Sequence, residues 1–199
     1  MALKTFVKIS GITNLSDARY CSGMGVDQLG FSIEEGQSNY TDPEKFKEIK
    51  GWLSGVEFVG EFSSEFAGDF GDVAKAYELD AIQVERPEHV AYATAAGLPV
   101  ILNMEADALA SHGLNTMPTG IEYLLISAEE ETNPDGVLSL ADSAEIVLAF
   151  GITAENVDDL ASSGLKGIAL RGSDEIRPGY KDFDELADIL EALEIDDTL

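Results

Sequence analysis

A single cysteine, Cys21, stands in 199 residues, which excludes an internal disulfide and any cysteine-based metal centre. Histidine is nearly as scarce. His89 and His112 are the whole supply, both within segments of helical pattern, where they read as ordinary surface residues. Cationic side chains are also few: 12 Lys and Arg face 38 Asp and Glu, a formal net charge of −26. A chain this acidic is repelled by nucleic acid and by anionic membrane surfaces. No segment concentrates the charge enough for a basic partner. The densest run, Glu129-Glu130-Glu131, has a loop pattern, so the acids read as a solvated surface. No apolar run approaches the ~20 residues of a membrane span. Nothing is of low complexity, and residues 1–5 lead into a strand pattern without a signal peptide. These absences lead us to expect a soluble cytoplasmic protein with no metal and no cofactor.

What is present is regular. With 45% hydrophobic residues, the chain can bury one large core. Apolar runs of strand length fall at 5–10, 28–32, 57–62, 81–84, 99–103, 123–127, 145–150 and 167–171. Segments of helical period lie between and after them, at 15–24, 43–53, 65–78, 87–96, 107–112, 154–163 and 183–193, with a weak candidate at 136–142. No linker or shift of composition divides the chain. Parallel strands with crossover helices in this alternation predict a small single-domain (β/α)₈ barrel over residues 1–199. A doubly wound open sheet is the structural alternative.

The stretch Val7-Lys8-Ile9-Ser10-Gly11-Ile12-Thr13-Asn14 is a strand, a tight loop and a helix cap, and it delivers Ser10 to the strand's C-terminal end. Chemistry gathers at that end of parallel sheets. Gly11-Ile12-Thr13 recurs as Gly151-Ile152-Thr153 after the seventh strand, each followed by an Asn and an acidic helix start. Gly151 and Thr153, with Gly172 and Ser173 after the eighth strand, fall where barrels hold phosphate on backbone N–H groups. Arg171 is the nearby cation. The plainer reading is that such glycines allow a tight turn.

These residues carry a family resemblance. VKISGITN resembles the opening motif of the phosphoribosylanthranilate isomerases, barrels of the tryptophan pathway, which usually reads VKICGIT. Leu29-Gly30-Phe31 with Ser38-Asn39-Tyr40 is similar to the family's LGF…S-x-R-Y, Val59-Gly60-Glu61-Phe62 to VGVF, and Leu79-Asp80-Ala81-Ile82-Gln83-Val84 to LDAVQLHG. Gly151-Ile152-Thr153-Ala154-Glu155-Asn156-Val157 resembles GGLNPENV, and Pro178-Gly179-Tyr180-Lys181-Asp182 resembles PGxKD. The matches run in order over nearly the whole chain. The resemblance implies a (β/α)₈ barrel and an Amadori rearrangement of N-(5-phosphoribosyl)anthranilate. That reaction needs a general acid at the ribose ring oxygen and a general base at C2.

At the position of the family's basic cysteine this chain has Ser10. At the position of its acidic aspartate, in a motif like LLDT, the run Leu124-Leu125-Ile126-Ser127 places Ile126. The family's substrate-contacting arginine falls on Asn39, while Gln83 is kept. A serine hydroxyl needs a neighbouring base to act as one; Glu61 with Glu85 could form a replacement pair, or Ser10 could act with Glu61 or Asp135. The site expected from the resemblance is therefore Ser10 and Ile126 at the catalytic positions, with Gly11, Asn39, Gln83, Gly151, Thr153, Gly172 and Ser173 on substrate and phosphate. Three readings stay open: an isomerase with substituted groups, a catalytically silent barrel that binds a sugar phosphate, and a scaffold whose rim is filled by Phe150 and Ile126. The expected partner is a small phosphorylated metabolite, and the expected assembly is a monomer or homodimer.

Overall fold

Parallel pairing carries the architecture. The computed structural model describes residues 2–37, 39–129, 132–171, 175–177, 180–181 and 184–195, with the backbone alone at 175–177 and 180–181. Its first eight strands are β1 (Phe6–Ser10), β2 (Gln28–Ser32), β3 (Glu57–Glu61), β4 (Ala81–Val84), β5 (Val100–Glu105), β6 (Ile121–Ser127), β7 (Ile146–Leu148) and β8 (Gly167–Arg171). Each pairs with the next, and β8 returns to β1 to close the barrel. The helices are α1 (Leu15–Gly23), α2 (Pro43–Gly51), α3 (Phe70–Tyr77), α4 (Pro87–Thr94), α5 (Ala106–His112), α6 (Asp135–Leu138), α7 (Val157–Ala161) and α8 (Asp184–Ala192). The fold is the expected (β/α)₈ barrel. Between β8 and α8 runs an unforeseen antiparallel pair, β9 (Glu175–Arg177) and β10 (Tyr180–Lys181).

Strands covered on both faces must be apolar on both. Val7, Ile9, Leu29, Phe31, Ile82, Leu102, Ile126, Leu148 and Ile168 point outward and pack beneath the helices. Val59, Ala81, Ile101, Tyr123, Leu125, Val147 and Ala169 point inward and fill the barrel. This alternation decides which side chains reach the mouth.

Helix starts follow local capping. Asp42 caps α2 by accepting from the N–H groups of Glu44 and Lys45, with Pro43 in the first turn. Asp69 accepts from the Asp72 N–H, so α3 begins at Phe70 and not at residue 65. The helix expected over 154–163 is α7, only five residues long, because the Asn156 side chain ties the preceding turn together. No helix among the described residues is long and apolar enough to cross a membrane.

Candidate functional site

The C-terminal ends of the strands enclose a cavity of about 310 Å³, at the lower end of the range for small-ligand sites. Its floor is Leu125, Ala149 and Ala169. Ser10 stands in it at the end of β1, as expected, and Gly11, Asn39, Glu61, Gln83, Glu85 and Arg171 line it as well. Ser32, Asn103 and Ser127 join them, and the motifs give none of these three a role, although Ser127 ends the LLIS run.

The centre of the site is an ion pair inside the barrel. Lys8 is wholly buried. Its Nζ donates to Glu61 Oε1 at 2.6 Å and to Ser10 Oγ at 2.7 Å. The Gly11 N–H donates to Glu61 Oε2 at 3.2 Å. An unpaired ammonium at that depth would be prohibitive, so Lys8 depends on the carboxylate. Gly30 on β2 leaves the room for the pair: a β-carbon there would lie 2.7 Å from Lys8 Nζ and closer still to Glu61 Oε1. Because Ser10 Oγ accepts from Lys8, its own proton is directed elsewhere, and the cavity is on its open side.

Gln83 is the second polar marker. It is 6% exposed, lines the cavity, and its Oε1 has no hydrogen-bond partner among the described residues. Buried polar atoms are almost always satisfied, so this acceptor is what a ligand hydroxyl would meet. Glu85 is less free, since its Oε2 accepts from the Ser64 N–H at 2.9 Å. Ser127 donates to Glu105 Oε1 at 3.0 Å. Arg171, exposed at the end of β8, lays its guanidinium over Gly11, where a β-carbon would come within 3.2 Å of Nε.

Several expected residues stand elsewhere. Ile126 is fully buried and faces the helical shell, not the mouth. Strand alternation gives the mouth to Leu125 and Ser127. Phe150 is buried in the same outer core, so neither residue fills the rim. Gly151 and Thr153 do not line the cavity. The Thr153 N–H donates to Asn156 Oδ1 at 2.8 Å, and Asn156 Nδ2 donates to the Gly151 carbonyl at 2.8 Å, so Asn156 ties this turn together. Asp135 is also outside the cavity, bonded to Asn133. Gly172 and Ser173 lie outside the described residues. His112 is exposed, as expected, but His89 is only partly so: its ring packs against Phe70, and its Nδ1 is buried without a partner among the described residues. No group of three His, Cys, Asp or Glu that would hold a metal occurs among the described residues.

Deep below the mouth a second polar chain crosses the barrel. Tyr123 donates to Gln28 Oε1 at 2.6 Å, and Gln28 Nε2 donates to Glu57 Oε2 at 2.8 Å. Burial, followed by the nearby carboxylates of Glu122, Glu61 and Glu57, holds the Tyr123 phenol above its usual range.

Comparison with known proteins agrees with this barrel. The family model described as N-(5'phosphoribosyl)anthranilate (PRA) isomerase matches residues 7–192. An N-(5'-phosphoribosyl)anthranilate isomerase of Sulfurovum sp. is 28% identical over 195 residues, covering 90% of this chain and 94% of that protein. The tryptophan biosynthesis protein TrpCF of Vibrio cholerae is 26% identical over 197 residues, and the chain spans 41% of its length. The crystal structure of phosphoribosyl anthranilate isomerase from Thermus thermophilus superposes with a TM-score of 0.78 at 26% identity, covering 95% of this chain and 98% of that one. On the match to the family model over nearly its full length, this chain belongs to the N-(5'-phosphoribosyl)anthranilate isomerase family.

Proposed function

We propose that the mouth performs the family's Amadori rearrangement on N-(5'-phosphoribosyl)anthranilate with a proton-handling set of its own: Ser10 as donor, Glu61 as acceptor and Lys8 as the link between them. The observation that carries this reading is the Lys8 ammonium bonded at once to Ser10 Oγ and Glu61 Oε1, beside a cavity of ligand size.

The chemistry balances on these three groups. Ser10 gives its proton to the ribose ring oxygen as the C1–O bond breaks, and Lys8 passes one to Ser10. The opened sugar is then an iminium at C1, which acidifies the C2–H bond. Glu61 removes the C2 proton, and the electron pair of that bond moves to form the C1–C2 enamine. Lys8 is now neutral and Glu61 protonated, 2.6 Å apart, so one proton transfer between them restores the starting state. The enamine ketonises to the product by moving the C2 hydroxyl proton to C1. Gln83 Oε1 supplies an acceptor for a sugar hydroxyl.

The test is turnover of N-(5'-phosphoribosyl)anthranilate by the purified chain, followed by the loss of substrate fluorescence. Ser10→Ala and Glu61→Gln should each lower kcat by about 10²–10⁴-fold, the usual worth of one acid or base. Unchanged kcat in Glu61→Gln would remove Glu61 from the role. One observation favours a second reading, a site that binds without turnover: both Glu61 oxygens already accept hydrogen bonds within the protein, which directs them at the protein's own donors. Tight binding of a reduced product analogue with no detectable turnover would select that reading.

A further inference from the structure

We infer that the anionic end of the ligand is anchored by the Arg171 guanidinium, seated over Gly11 beside Ser10. This rests on the reading of the mouth as a sugar-phosphate site and names what holds the anion there.

Three observations lead to Arg171. First, Gly151 and Thr153 of the loop after β7 do not line the cavity, and the Thr153 N–H is taken by Asn156 Oδ1. The turn also lies under residues 132–134, since a β-carbon on Gly151 would come 3.6 Å from the Thr132 carbonyl oxygen. Second, Arg171 is the one cation among the described residues of the mouth that is left for an anion, and Glu85 adds a further carboxylate there. Lys8 is neutralised by Glu61, and the loop after β2 contributes Gln37 and Asn39, which are amides. Arg171 lines the same cavity and has no carboxylate partner among the described residues. In a chain with only 12 cationic residues, a guanidinium left at the mouth is notable. Third, its position is built. Arg171 pairs in register with Ser10 across β8 and β1, and Gly11, at φ +70 with no side chain, leaves the space in which Nε lies. A guanidinium presents a planar fork of donors that matches a carboxylate or phosphate with two parallel hydrogen bonds. Gln83 Oε1, buried and unpartnered among the described residues, faces the same cavity. A ligand carrying an oxyanion and a hydroxyl satisfies both.

The oxyanion has two sources in such a ligand, the phosphate and the aminobenzoate carboxylate. Calorimetric titration separates them with ribose 5-phosphate, which has only the first, and 2-aminobenzoate, which has only the second. At least one should bind the intact protein. In Arg171→Gln its Kd should rise about tenfold or more, with Arg171→Lys intermediate because the charge stays and the fork is lost. The probe that responds identifies the source. Thermal melting shows whether each variant keeps its fold, as an exposed position should. Equal affinity in the intact protein and Arg171→Gln overturns the assignment, and so does failure of both probes to bind the intact protein. Turnover of N-(5'-phosphoribosyl)anthranilate that survives in the intact protein would show that the proposed function stands while the Arg171 anchor falls.

Discussion

Lys8 shows how much one side chain costs and organises. An ammonium with no exposure must be paired, and Glu61, with its side chain 16% exposed toward the cavity, is the partner. Removing one member of a buried pair leaves the other uncompensated, typically at about 3–5 kcal/mol. Glu61 keeps some access to water, so Lys8→Met should fall at the low end, about 3 kcal/mol by urea denaturation. The double variant Lys8→Met, Glu61→Leu should recover most of that loss while remaining inactive. If the double variant is no more stable than the single one, the cost lies in packing and not in charge. Tyr123 gives a pH-dependent counterpart. Its folded phenol titrates above the ordinary value of 10.0 because burial disfavours the phenolate. Its contribution to stability is therefore complete below about pH 10 and is lost as pH rises through the window above, where the unfolded chain releases the proton first. Tyr123→Phe should cost about 1–2 kcal/mol at pH 7 by leaving Gln28 Oε1 without its donor, and should flatten the alkaline fall in stability. Lys8 was legible in the sequence, since a residue two before Ser10 on a strand shares its face, although no role was assigned to it. Ile126 was misplaced because a motif match gives an order of residues and not the direction in which each points.

At the scale of elements, two glycines distinguish the barrel's frame from its contents. A β-carbon at Gly167 of β8 would collide with the Phe6 main chain of β1, lying 2.8 Å from its carbonyl carbon. Backbone cannot swing aside, so Gly167→Ala must push apart the pair of strands that closes the barrel. We expect a loss on the order of 3 kcal/mol or failure to fold, read from the denaturation midpoint. Gly30→Ala meets side-chain atoms of Glu61 and Lys8 instead. That variant should fold with a smaller loss, about 1–3 kcal/mol, and should lose activity because the ion pair is displaced from Ser10. Equal damage from the two substitutions would contradict this division. The strands were legible because each combines an apolar run with flanking turn residues, and their order around the barrel followed from their alternation with helices. The second half was less so. Helix α7 shrinks to Val157–Ala161 because Asn156 folds back on the Gly151 turn, and β7 is only Ile146–Leu148. The use of that asparagine side chain depends on loop geometry that no spacing reveals. For the same reason no spacing shows that Gly151 and Thr153, expected on the phosphate, stand outside the cavity lining.

For the whole molecule, the unbalanced charge is the dominant long-range term. A net charge of −26 repels itself in the compact state more than in the expanded chain. Among the described residues the opposing attractions outside the barrel are few and superficial: Lys4–Asp158, Arg86–Glu88 and Lys166–Glu145 each have at least one well-exposed partner, and such pairs are worth about 0–1 kcal/mol apiece. The Lys8–Glu61 pair is buried and is screened much less than these. Added salt therefore removes more repulsion than attraction. Raising sodium chloride from about 0.01 M to about 1 M shortens the screening length from roughly 30 Å to roughly 3 Å. Thermal unfolding should shift upward across that range by several degrees, with each kcal/mol gained appearing as about 2–4 °C for a chain of this size. Most of the rise should come at the low-salt end, where screening changes act on charges far apart, and a neutral osmolyte at matched osmolality should not reproduce that early rise. A midpoint that stays level or falls as salt is added would mean that the acids are locally compensated, and that the surface is a set of paired charges and not a field.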